Sequence, residues 1–440
     1  MADATKAVRI AGVLRRNGHQ AWLAGGCVRD RLLGLEPKDY DIATSATPQQ
    51  VALLFPSAAQ VGAHFGVMLV DGVEVATFRS DHGYADGRRP DRVVFESSPR
   101  EDALRRDFTI NALMMDPETG DVLDFVGGRA DLERGVIRCV GDARRRFAED
   151  HLRMARAVRF AARLSFAVDP ETLEAIRALR MRIHTVSAER LRGELERILT
   201  EGGARRGFEL LDESGLLSEL LPEVAAMKGV AQPPEFHPEG DVWTHTLLML
   251  GMMRAPTHTL AWGVLLHDVA KPVTFRVADR IRFDGHAAIG ASMARGILGR
   301  FRCPTATIER VEALVAHHLR FIEVKRMRPS TLKRFLRMDG FEEHLELHRL
   351  DCLSSHRMLG NWEFMRAQLS SLSEADLRPP RLISGRDLAA EGYPPGPLYR
   401  EILEAVETAQ LEGAVRTREE ALAFVNERFG PAANPGAASR

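Results

Sequence analysis

The chain has 440 residues, long enough for two to four domains that each bury a core. Hydrophobic residues are 45% and charged residues 28% of it, the composition of a soluble globular protein. The formal net charge of −1 excludes a global pull toward nucleic acid, so any RNA contact needs local basic patches, such as 144–163 and 320–337. Cys27, Cys139, Cys303 and Cys352 are scattered without CxxC spacing, which predicts free thiols and a reducing, cytoplasmic compartment. No signal peptide, lipidation motif or run of about 18 apolar residues is present, so no membrane partner is expected.

Residues 4–18 carry apolar positions at helical spacing and stop at Asn17-Gly18. Ala21-Trp22-Leu23 reads as a short strand, Gly25 and Gly26 follow, and residues 27–33 read as a helix. Glycines between strand and helix let backbone N–H groups approach an anion, and Arg29 is placed to meet a phosphate. Asp39-Tyr40-Asp41-Ile42 reads as a second strand, which predicts both carboxylates on one face. Two like charges there call for a cation, and hard oxygen ligands suit Mg²⁺ shared with substrate phosphates. Thr47-Pro48 predicts a capped helix through Leu54. Residues 66–70 and 73–78 read as a hairpin across Asp71-Gly72, with Glu74 on its second strand. Residues 79–98 are polar and glycine-rich, the composition of a mobile surface loop.

The string RRDFTINAL, 105–113, reads as helical, with Arg106, Asp107 and Asn111 able to share a face. Residues 147–164 read as one helix with Glu149 and Asp150 in its first turn, and Arg153 and Arg156 one and two turns on. The stretch 169–222 is helical, and Ser187–Leu195 carries capping and charge pairs that stiffen it. Gln232-Pro233-Pro234 marks a boundary. Beyond it comes an ordered series of His245, His267-Asp268, His286, His317-His318 and Asp351, on helical segments. The last ten residues read as disordered.

The wording GGCVRD…KDYDIAT, 25–44, resembles the nucleotidyltransferase signature of the DNA polymerase β superfamily, and in particular the bacterial class II tRNA nucleotidyltransferases and their relatives, the poly(A) polymerases. The resemblance implies that Asp39, Asp41 and Glu74 bind Mg²⁺ and that Gly25, Gly26 and Arg29 hold the triphosphate of CTP or ATP. It implies that Arg106, Asp107 and Asn111 read the ribose. Glu149-Asp150-x-x-Arg153 matches the motif whose Asp and Arg hydrogen-bond the incoming base, and Arg156 joins the nucleotide-binding set. Tyr84, Asp86, Arg88, Arg89 and Pro90 match the flexible loop of CCA-adding enzymes. The 122–141 stretch, with Asp124, Gly127, Gly128 and Asp131, resembles the family's connecting motif. Residues 383–424 resemble its RNA-gripping tail.

The histidine series resembles the HD phosphohydrolases. That implies one metal on His245, His267, Asp268 and Asp351, and a second near His286 and His317 or His318. Imidazole–carboxylate sets suit Ni, Mn, Co or Fe. The expected fold is α+β: a polymerase-β-like head at 1–140, a helical neck at 141–228, an HD-type helical domain at 229–360 and a helical tail at 361–440. The expected reaction adds CCA to the tRNA 3′ end. A poly(A) polymerase is the rival, and QVGAHFGVML at 60–69 argues against it, since those enzymes favour a basic G-R-R-F string there. Addition restricted to CC or to A, and a silent RNA-binding protein, are the remaining alternatives.

Overall fold

The computed structural model describes residues 4–62, 66–83 and 92–430. The chain divides into two compact units. The first comprises 1–230, 242–261 and 296–305; the second comprises 231–241, 262–295 and 306–440. The fold is α+β, with its sheet confined to the head of the first unit and helices elsewhere, apart from a few short strand pairs. No helix among the described residues is long and apolar enough to cross a membrane.

The first unit opens with α1 (Ala4–Arg16), whose Ala7, Ile10, Ala11 and Leu14 repeat at helical spacing and are buried. Then come β1 (Ala21–Ala24), α2 (Gly26–Leu32), β2 (Asp41–Thr44) and α3 (Pro48–Leu54). Thr47 and Gln50 cap α3 reciprocally, as its sequence predicts. Next are β3 (Ala59–Gly62), β4 (Val67–Val70) and β5 (Val73–Thr77). Asp71 and Gly72 both take positive φ, 50° and 86°, the conformation a tight hairpin requires. A separate two-stranded pair is formed by β6 (Arg79–His82) and β7 (Arg92–Phe95). After α4 (Pro99–Leu104) come β8 (Met114–Met115) and β9 (Val122–Leu123). The main sheet runs β3-β4-β5-β2-β1-β8-β9.

One junction in this sheet matters most. β2 and β5 run parallel, with Asp41 opposite Glu74 and Ile42 opposite Val75. Along β5 the valines face the core and Glu74 is exposed. The alternation of the pleat therefore puts two carboxylates side by side at the solvent face of a buried sheet.

Three expectations need correction. Asp39 is not on a strand: pairing begins at Asp41, and Asp39 lies exposed on the segment before it. The string 105–113 is not a helix. α4 ends at Leu104, a bend follows, and only Thr109–Asn111 makes a 3₁₀ turn. The close approach of α5 (Gly128–Arg134) explains this turn's fixed place. A Cβ on Gly128 would lie 2.2 Å from the Thr109 carbonyl oxygen, and the Thr109 hydroxyl donates to Asp131 at 2.8 Å. Finally, 147–164 is two helices: α6 (Ala143–Glu149) and α7 (Leu152–Leu164), with Asp150 extended between them at φ −148° and ψ 105°. Glu149 thus ends one helix instead of starting the next.

α7 is buried on nearly all sides, not along one stripe. It packs against α9 (Ala188–Thr200) and α10 (Ala204–Glu213), which follow α8 (Pro170–Leu179). The first unit also contains α11 (Leu216–Leu220), α12 (Pro222–Ala225) and α13 (Val242–Met252). In the second unit, Phe321, Phe335 and Phe341 anchor one core cluster, and Ile402, Val406 and Val425 belong to another in the tail. The loop residues Tyr84, Asp86, Arg88, Arg89 and Pro90, and the final ten residues, lie outside the described residues.

Candidate active site

A cavity of about 510 Å³ opens in the first unit where the head sheet meets α7 and α9. Among the described residues, Asp41, Asp107 and Asp150 line it with six arginines: Arg29, Arg105, Arg106, Arg153, Arg156 and Arg190. Most of these arginines are held by carboxylates. Arg29 donates to Asp30 through Nε and Nη2 at 2.8 and 2.6 Å, and to Asn111 Oδ1 through Nη1 at 2.7 Å. Arg105 and Arg106 share the buried Asp102. Arg156 donates to Asp107 Oδ2 at 2.9 and 2.8 Å. Arg153 Nη1 reaches Glu149 at 2.7 Å and the Arg146 carbonyl at 3.0 Å. The cavity therefore offers fixed donors more than a bare positive field.

The network fixes the residues expected to read the sugar. Asp107 accepts from the Asn111 amide at 3.1 Å and the Phe108 N–H at 2.8 Å. The Arg156 guanidinium holds its carboxyl down at about 2 despite burial, so this pair is charged at neutral pH. Arg106 Nη1 also donates to the Asn111 carbonyl at 3.1 Å. Phe160, buried at the cavity wall, carries the Arg29, Arg156 and Arg159 guanidiniums within 5.0, 5.4 and 4.1 Å of its ring centroid. Gly25 takes φ 77° before α2, and a Cβ there would stand 3.0 Å from Arg106 Nη1. Gly26 has no such need: a Cβ there stays 3.6 Å from Arg29.

Asp41 sits at the cavity edge. Burial, then Glu74 and Asp39, push its carboxyl up to about 6, against the lowering pull of Arg106. The three carboxylates are electrostatic neighbours, yet their oxygens do not close into a cluster within 4.8 Å. An all-oxygen donor set whose central member is raised by burial and by like charge fits a hard divalent cation.

Sequence reasoning missed Arg105, Leu152, Phe160 and Arg190. Arg105 was within reach as part of the RRDFTIN string. Arg190 was not, because nothing local in Ser187–Leu195 tells a surface ion pair from a cavity residue.

The second unit has its own cavity, of about 660 Å³, lined by Asp268, Lys271, His286, His318, His348, Asp351 and Cys352 among others. His286 and His318 bring their Nε2 atoms to 3.3 Å of each other, and Asp268 Oδ1 lies 3.4 and 3.8 Å from them. The Nδ1 atoms of His267, His286 and His318 each face the carbonyl three residues back, at 2.9, 2.8 and 2.7 Å. A carbonyl can only accept, so each Nδ1 carries a proton, and in the neutral ring Nε2 presents a lone pair. Burial pushes His318 down to about 4, which keeps it neutral at pH 7. Two facing lone pairs and a carboxylate fit a transition-metal cation. His267 Nε2 stands 3.1 Å from Asp268 Oδ2, and Lys271 2.7 Å from the same oxygen. His318, not His317, joins this group; the His317 ring stands 6.2 Å from that of His344. His245 is buried on α13 in the first unit. His348 and Cys352, 3.6 Å apart beside Asp351, were not anticipated.

Residues 21–138 match the family described as "Poly A polymerase head domain", 165–228 "Probable RNA and SrmB- binding site of polymerase A", and 242–348 "HD domain". The chain is 32% identical to a CCA-adding enzyme of Geobacillus stearothermophilus over 436 residues, 96% of each protein. It is 33% identical to one of Leuconostoc mesenteroides over 92% of this chain and 91% of that one. The crystal structure of the Bacillus stearothermophilus CCA-adding enzyme in complex with CTP is similar with a TM-score of 0.74 at 30% identity, covering 98% of both chains. Likeness of that extent spans nearly the whole chain, and the chain belongs to the family of the CCA-adding enzymes.

Proposed function

We propose that the chain adds CCA to the 3′ end of tRNA from CTP and ATP, and that the observation carrying this is Asp41 set opposite Glu74 at the rim of an arginine-lined cavity. The terminal hydroxyl of tRNA attacks the α-phosphate and pyrophosphate leaves. Asp39, Asp41 and Glu74 would hold Mg²⁺, which would supply charge neutralisation at the reacting phosphate. Arg29 and the backbone at Gly25 and Gly26 meet the triphosphate. Asp107, Asn111 and Arg106 form the sugar-facing group, and Asp150 and Arg153 face the base. Cytosine and adenine each present an exocyclic amine to a carboxylate; uracil and guanine do not present one in that position.

Incubating the protein with tRNA ending at the discriminator base and with each NTP tests the reading. A terminal CCA supports it. A long A tail would assign poly(A) synthesis, and CC or A alone a restricted enzyme. Arg153→Ala is expected to relax the preference for CTP and ATP more than it weakens triphosphate binding. Competition among the four NTPs reads this out, and an intact preference with collapsed affinity would make Arg153 a phosphate ligand.

The second cavity supports a separate reading: hydrolysis of a phosphoester, such as a 2′,3′-cyclic nucleotide, with His267, Asp268, His286, His318 and Asp351 as the working set. Asp268→Ala is expected to lower the metal content of the purified protein, measured by elemental analysis. It should also remove hydrolysis of 2′,3′-cyclic AMP in Ni²⁺ or Mn²⁺ while CCA addition persists. Wild-type protein that retains no metal and hydrolyses nothing would leave this cavity a structural remnant.

A further inference from the structure

Asp150 lies between two helices with an extended backbone, so no helical ladder fixes where its carboxylate points. Three hydrogen bonds do that instead. The Leu152 N–H donates to Oδ1 at 3.1 Å. Arg190, arriving from α9, donates Nη1 to Oδ1 at 3.2 Å and Nη2 to Oδ2 at 2.7 Å. This is a fork on both oxygens, the geometry that fixes orientation as well as distance. The origin of the fork is itself fixed, because α9 is locked to α7 by the buried pair of Glu194 and Arg159 at 2.6 Å. Asp150 and Arg190 both line the first cavity.

We propose that Arg190 is a positioning residue that sets nucleotide choice through Asp150, a step that rests on the reading of Asp150 as a base-facing acceptor. A carboxylate has about four lone-pair sites. Arg190 and Leu152 occupy three, which leaves one acceptor site for a ligand of the cavity that Asp150 lines. A base with an amine there is bonded; a base with a carbonyl there meets a second acceptor. A carboxylate freed from its fork can rotate away from that carbonyl, and the rejection of UTP and GTP weakens.

Arg190→Met keeps the length of the side chain and removes the fork. The expected result is a fall of tenfold or more in the CTP-over-UTP and ATP-over-GTP ratios of kcat/KM. Arg190→Lys, with one charged donor, should recover part of this, and it carries the test if the Met variant melts early. In an Asp150→Ala background, Arg190→Met should change the ratios less than twofold, since a residue acting through another has nothing left to act through. Equal losses for all four nucleotides with the ratios intact, or full additivity with Asp150→Ala, would overturn the proposal. Asp150→Ala alone leaving the ratios unchanged would show that the reading of Asp150 is at fault, and the role of Arg190 would fall with it.

Discussion

Asp41→Asn is expected to abolish nucleotide addition, by roughly 10³-fold or more, and to make the metal-free protein more stable. The two effects share one cause. In the fold Asp41 titrates near 6, against an ordinary value of 3.8. Between those pH values the folded chain holds the extra proton, so stability falls as pH rises through that window. At neutral pH the ionised carboxylate, beside Glu74 and Asp39, costs the fold on the order of 1–3 kcal/mol. Asparagine removes the charge and the cost together, and with them the ligand that the chemistry needs. Thermal melts in EDTA at pH 5 and pH 7.5 check this: the gain in Tm from Asp41→Asn should appear at the higher pH and shrink at the lower. Added Mg²⁺ should stabilise the wild type at pH 7.5 and leave the variant nearly unmoved. Addition at near wild-type rate would remove Asp41 from the reaction.

Glu194→Ala should be the most damaging single change in the neck. Glu194 is 3% exposed, and the Arg159 guanidinium it meets at 2.6 Å is equally buried. Arg156 and Arg197 stand at 3.8 and 3.6 Å from its other oxygen. Removing one partner leaves a buried cation with less than it needs, a loss of about 3–5 kcal/mol. Glu201, 3.6 Å from Arg159, is the remaining acid nearby and cannot replace the short bond without moving α9. Unfolding in urea and susceptibility to protease within 150–215 would show the loss. A change under about 1 kcal/mol would mean that Arg159 finds another acceptor. Activity should fall as well, because Arg156 spans Glu194 and Asp107 and so ties the neck to the sugar-facing group.

How much of this was legible in the sequence depended on the range of the interaction. The turn at Asp71-Gly72 and the cap at Thr47 are local, and the chain adopts them where composition says it must. The helix break at Asp150 was hidden. Residues 147–164 keep helical spacing, but the Asp150 carboxylate is drawn to Arg190, forty residues on, and to the Leu152 N–H. Likewise the string 105–113 has helical propensity, yet its polar atoms are claimed by Asp102, Arg156 and Arg29. Tertiary partners outweigh a propensity of tenths of a kcal/mol per residue. The choice between His317 and His318 turned on where one helix stops, which periodicity resolves only to a residue or two. The motif strings located the cavity because its residues sit in runs. Arg190 escaped because it reaches the cavity from α9, outside those runs.

The parallel pairing of β2 with β5 fixes the length of the hairpin that leads into it. Register places Asp41 against Glu74, and the same register seats Val73 and Val75 in the core. One residue lost or gained between β4 and β5 would turn Glu74 inward and the valines outward, striking chemistry and core in a single event. The hairpin beside Glu74 therefore admits substitution but not change of length.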